Sequence, residues 1–169
     1  MTFLDRLAGP LLWIIIFLVI ALTGCAAYRP PVPAYRAGAE EAAAFRGAKV
    51  TVGTVTGGPT SVTCRALTLD LPEPPAAYLR HALTDTLVRA DRAGGAAVSF
   101  EVARLEVDSV AGRWTAAVRV LGPTPFVVSK VVTFDGGTFD GRGACDRAAQ
   151  AFPELVRALV IGIGLGLGG

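Results

Sequence analysis

The spacing of hydrophobic positions changes along the chain, and each change marks an element. Residues 11–22 form an unbroken run of twelve apolar residues. A membrane-spanning helix needs ~20 such residues and a signal-peptide core ~7–15, so the run fits a signal peptide. Periodicity then disappears. "YRPPVPAYRAG" carries three prolines and predicts an extended, partly polyproline stretch. With "AEEAAAF", worth one or two helical turns, it makes residues 25–47 a tether that holds the remainder away from its anchor.

Alternation begins at residue 48. "AKVTVGTV" places Val50 and Val52 on one face of a strand, ended by Gly57-Gly58-Pro59. "CRALTLDL" sets Leu67, Leu69 and Leu71 opposite Ala66, Thr68 and Asp70, so the leucine face is buried. Pro72, Pro74 and Pro75 end this strand, and Pro75 suits the first turn of a helix. Leu79, Ala82, Leu83, Thr86, Leu87 and Ala90 then recur at helical spacing, up to Gly94-Gly95.

Three strands follow. In "AVSFEVARLEVDSV" the apolar parity changes between Val102 and Leu105, which requires a β-bulge near Ala103 and Arg104. A short turn at Ala111-Gly112-Arg113 leads to a strand with Trp114, Ala116, Val118 and Val120 on one face. "FVVSKVVTF", joined through residues 122–125, is apolar on both parities and reads as a central strand. A last helix over about 143–159 carries Cys145, Ala148, Ala149, Phe152, Leu155, Val156 and Leu159 as its stripe. Pro153 inside it removes the hydrogen bond to the Ala149 carbonyl and predicts a kink. "IGIGLGLGG", residues 161–169, has five glycines in nine, which makes a fixed conformation costly. It reads as a disordered tail or one that docks only with a partner. The order ββαβββα predicts an α+β fold over residues 48–160: an antiparallel sheet of about five strands with two helices on one face.

Composition changes this picture little. Hydrophobic residues are 52 %, a figure the N-terminal run inflates. Sixteen basic and fourteen acidic residues give +2, scattered along the chain, which argues against a nucleic-acid surface or a polybasic membrane patch.

The cysteines change it more. Leu22-Thr23-Gly24-Cys25 closes the apolar run and resembles the bacterial lipobox: an aliphatic residue, two small residues, then cysteine. Small residues admit a protease to the bond, and the thiol can carry a diacylglyceryl thioether. The resemblance implies removal of residues 1–24, recognition through Leu22, Thr23 and Gly24, and lipidation (palmitate among the chains) at Cys25. Ala26 implies sorting to the outer membrane, facing the periplasm. The other reading is an uncleaved helix anchored in the inner membrane. If Cys25 is lipidated, Cys64 and Cys145 remain as an even pair. They form either a disulfide, closing a loop of about 80 residues worth ~4 kcal/mol, or two separate buried thiols. With one histidine they make a poor metal site.

Catalytic chemistry is sparse. His81, the single histidine, lies in a helix with no nucleophile signature nearby and reads as a surface or boundary residue. Asp85, Asp108, Asp135, Asp140 and Asp146 fall in turns or on polar helix faces, and nothing selects a pair. "FDGGTFDG", residues 134–141, lacks the ligand ladder of a calcium loop and reads as a turn. No phosphate-binding loop is present, and no cofactor is expected.

Cys64-Arg65, "PPAAYLRHALTDTLVRA", a strand starting near Trp114, and "ACDRAAQAFPELVRALV" together resemble a group of small proteobacterial outer-membrane lipoproteins without assigned function. The resemblance spans roughly residues 60–160. The glycine-rich end departs from it, since a further apolar anchor is more usual there. At fold level the layout is also similar to envelope lipoproteins that assist lipopolysaccharide assembly or serve lipid-trafficking transporters. The expectation is a non-enzymatic adaptor or accessory subunit, held to a membrane by lipid and bound to an envelope protein. The alternatives are a lipid-binding carrier, betrayed by an apolar cavity on the order of a few hundred Å³, or an enzyme on unmarked carboxylates.

Overall fold

The alternating stretches resolve into two sheets in the computed structural model, which describes residues 29–64, 67–71, 73–136 and 141–169. In chain order the described elements are α1 (Ala39–Ala44), β1 (Val50–Gly57), β2 (Ser61–Cys64), β3 (Leu67–Asp70), α2 (Pro75–Arg89), β4 (Ala96–Asp108), β5 (Arg113–Leu121), β6 (Phe126–Thr133) and α3 (Gly141–Gly168). The fold is α+β. Strands β1, β4, β5 and β6 form one sheet in that order, and β2 and β3 form a separate hairpin.

The sheet differs from the predicted one in arrangement. It is mixed, not antiparallel, because β1 runs parallel to β4 and the chain crosses between them through the hairpin and α2. The "CRALTLDL" strand is the second arm of a hairpin: Cys64 ends β2 and pairs with Leu67. Strand β6 is an edge, not a centre. Its inward Val128 is buried under α3, while its outward Val127 and Val131 are 58 % and 60 % exposed. Apolar residues on both parities therefore mark an edge with one greasy outer face.

Other expectations hold. Pairing between β4 and β5 steps from Val102↔Val118 to Arg104↔Ala117, so Ala103 is the extra residue of a bulge. Val98, Phe100 and Val102 before it and Leu105 after it are all buried. Trp114, Ala116, Val118 and Val120 form the buried face of β5. The stripe of α2 is buried at Tyr78, Leu79, Ala82, Leu83, Thr86 and Leu87. This helix stops earlier than Gly94. Asp91 takes a left-handed φ of 53°, with Asp91 N–H donating to the Val88 carbonyl and Arg92 N–H to the Leu87 carbonyl. That paired closure satisfies two end carbonyls and turns the chain out of the helix.

The C-terminal end overturns the disordered-tail expectation. Helix α3 runs unbroken through Pro153 and on to Gly168. The glycines permit this because three of them lie at close contacts. A Cβ on Gly164 would stand 2.8 Å from the Phe45 ring, and one on Gly162 would stand 2.6 Å from Val128 Cγ1, with Gly166 likewise tight against Phe126. The last two turns are thus a thin slab between the α1 side and β6. Each helical glycine costs about 1 kcal/mol against alanine, and burial of Val160 and Ile163 offsets it. By length and composition α3 could cross a membrane. Here it is a core helix, with Leu155, Val156, Leu159 and Ile163 buried in the domain.

At the centre, Phe152 on α3 meets Trp114 on β5 and Tyr78 on α2, with ring centroids 5.4 Å and 5.2 Å away. The Trp114 indole N–H donates to the Ala148 carbonyl at 2.7 Å. That carbonyl adjoins the one on Ala149, which Pro153 deprives of its helical donor.

Candidate functional site

Residues 29–38 carry no regular structure, yet they are not free. They lie along α2 as a strap. Pro30 and Ala37 are buried, and Val32 and Tyr35 pack on the core. Polar contacts fasten the strap at intervals. Arg29 Nε donates to Asp70 at 2.5 Å, the Tyr78 hydroxyl donates to the Pro33 carbonyl at 2.6 Å, and the Ala37 N–H donates to Asp85 at 2.9 Å. The part read as a standing tether is therefore bound to the fold from residue 29 onward.

The strap ends in a buried charge. Glu41 on α1 is 1 % exposed and accepts from Arg157 Nε of α3 at 2.8 Å. The Tyr35 hydroxyl lies 3.4 Å from the same carboxylate and 3.3 Å from Thr86 Oγ1, which donates to the Ala82 carbonyl. Arg157 is held on its other side by Glu154 at 2.7 Å. Strap, α1, α2 and α3 thus meet at one polar knot. Burial pushes the Glu41 carboxyl up, but the Arg157 hydrogen bond, with backbone N–H groups of Glu41 and Gly38, outweighs it and holds the group below its ordinary value of 4.5. Burial is also the main cause that pushes both Tyr35 and Tyr78 up to about 12.

These shifts set a pH window. A depressed Glu41 contributes stability fully above pH 4.5, and the contribution disappears as pH falls through the lowered value. The raised tyrosines act at the other end: their contribution is full below pH 10 and is lost as pH rises toward about 12. Glu41→Gln is expected to cost about 2 kcal/mol at neutral pH, the worth of a charge-assisted hydrogen bond at a site where Arg157 keeps some solvent. In strong acid, where the natural side chain is itself protonated, the two proteins should converge. Denaturant melts at both pH values check this, and a gap that stays constant would refute it.

Between strap and α2 lies a cleft of about 190 Å³, bordered by Tyr35, Glu73, Tyr78, His81 and Asp85. His81 is an exposed residue there, with Nδ1 3.5 Å from Glu73. A wider groove of about 750 Å³ follows the outer side of α2 past Arg80, Thr84 and Val88, open to solvent. Among the described residues the displaced carboxyls are Glu41, Glu106 and Asp108, and all three are lowered. Arg104 holds Glu106 down, and the Ala111 and Val110 N–H groups hold Asp108 down where it closes the β4–β5 turn. Among the described residues no three of His, Cys, Asp and Glu gather as a metal site would need.

Cys64 and Cys145 are joined by a disulfide, with Cα atoms 5.9 Å apart and both residues buried. It ties the β2–β3 hairpin to α3. Leu22, Thr23, Gly24 and Cys25 lie outside the described residues, as do Asp140 and Pro72. Asp85 serves the strap; Asp108 serves its turn.

No family model matches the chain, and comparison with curated proteins gives no match. Among solved structures it is similar to the crystal structure of protein XCC0632 from Xanthomonas campestris, of the family model DUF330, a proteobacterial family of unknown function. The likeness covers 85 % of this chain and 96 % of that one, at 14 % identity and a TM-score of 0.51. At that identity it shows a shared fold.

Sequence reasoning missed Tyr35, Glu41, Tyr78 and Arg157 as a set. Glu41 and Arg157 stand 116 positions apart. The available signal was a tyrosine and two acids inside a stretch too short and proline-rich to need them as a linker.

Proposed function

We propose that the chain is a lipid-anchored envelope protein, a non-enzymatic adaptor or accessory subunit of an assembly at the periplasmic face of the outer membrane. One observation carries this reading. The chain has three cysteines, and two of them pair with each other inside the fold. The third is Cys25, which follows Leu-Thr-Gly at the end of an apolar run. An internal disulfide suits an oxidising compartment, and a leftover thiol at a lipobox suits a thioether. The adaptor is favoured over a carrier because the interior between sheet and helices is filled by Trp114, Phe100, Leu83, Phe152 and their neighbours. The cleft beside the strap and the groove along α2 both open to the surface.

Metabolic labelling with a clickable palmitate analogue tests the anchor. The natural chain should take up label and lose residues 1–24, and Cys25→Ala should do neither. Unlabelled, full-length natural product would overturn it. For the adaptor, crosslinking in intact cells should recover an envelope protein, and recovery of lipid alone would replace it with the carrier.

A further inference from the structure

From the docked strap we infer that the folded domain sits against the bilayer that carries the Cys25 acyl chains, with the Arg29–Asp70 corner at its membrane end. This rests on lipidation of Cys25. The strap is fixed to the fold at Arg29 and Pro30, and every later contact along it holds the same course down α2. Chain geometry then limits the separation. From Cys25 to Pro30 an extended chain reaches at most about 18 Å, at about 3.6 Å per residue. A tether free to residue 47 would reach about 70 Å at the polyproline rise. A domain of this length has a radius of gyration of about 14 Å. The near corner is therefore held within about 18 Å of the acylated sulfur, close to one domain radius, and the domain cannot swing far from its anchor.

The corner so placed joins three elements. Asp70 ends β3, and its backbone partner is Ser61 at the start of β2. Leu71 N–H closes on the Thr60 carbonyl, and Glu73 precedes α2. The hairpin end and the start of α2 thus face the lipid. The partner is the bilayer itself, reached through the chain's own thioether.

The test uses the chain from Cys25 onward, which contains every residue described. With Cys64 and Cys145 paired, Cys25 is its one free thiol. It is coupled to a maleimide phospholipid in phosphatidylcholine vesicles that also carry a dansyl headgroup lipid. Of two tryptophans only Trp114 follows residue 24, so it is the sole energy donor. The natural chain should transfer energy efficiently. A flexible Gly-Ser insert of about 20 residues after Cys25, adding about 25 Å of root-mean-square reach, should cut the transfer at least twofold. Weak transfer that is equal with and without the insert would overturn the inference. The vesicle experiment supplies its own thioether, so failure of lipidation in cells shows separately, as lost palmitate label.

Discussion

Replacing Cys64 and Cys145 together by alanine is expected to destabilise the domain by about 4 kcal/mol, since the bond closes a loop of 81 positions. For a domain of this size that is a fall of roughly 10–15 °C in melting temperature. The loss arises first in the unfolded chain, which regains the freedom that the cross-link removes. The native state also suffers. The hairpin is a two-stranded unit outside the main sheet, and such units are marginal alone. The disulfide fastens it to α3, on which both its strands also pack, and β2 packs against β4. Compared with the oxidised protein in denaturant, the double variant should show a lower midpoint and a steeper slope, because its unlinked unfolded chain exposes more surface. A difference below about 1 kcal/mol would mean that the loop is already restricted when unfolded. A reduced chain should show the hairpin amides exchanging before those of β4 and β5.

Parity made much of the sheet legible. The bulge at Ala103 follows from the switch between Val102 and Leu105, because alternation cannot change face otherwise. The buried face of β5 follows from one residue in two. Parity says which side chains point inward but nothing about which strand lies beside which. Parity alone therefore puts β1 in an antiparallel sheet and β6 at its centre, whereas β1 runs parallel to β4 and β6 is an edge whose outer face keeps Val127 and Val131 in solvent. The glycine-rich end failed for a different reason. Propensity counts the entropy of each glycine and is blind to a neighbour that needs the missing Cβ, and Phe45 and Phe126 are such neighbours. The strap failed because its partners are distant. Tyr35, Glu41, Thr86 and Arg157 make one knot from three separate parts of the chain, and no local pattern joins them.

Phe152→Ala is expected to cost about 3–5 kcal/mol, comparable to the disulfide. The ring is 3 % exposed and touches two other rings from different elements, so its removal leaves a cavity bordered by Tyr78 and Trp114. Neither border can collapse freely. Trp114 is held by its bond to the Ala148 carbonyl, and Tyr78 by its bond to the Pro33 carbonyl. Phe152→Leu, which refills most of the space, should cost about half as much. The Tyr78 bond carries the disturbance outward. With Phe152 gone, Tyr78 loses the edge-on contact that orients its hydroxyl, and the strap loses a fastening in its middle. Hydrogen exchange at the Ala37 amide, which is protected by Asp85, should therefore quicken by more than the global loss of stability predicts. Exchange at Ala37 that merely follows global unfolding would show the strap to be independent of the core. Faster local exchange would make Phe152 the point where packing in the interior governs how firmly the anchor-proximal segment is held.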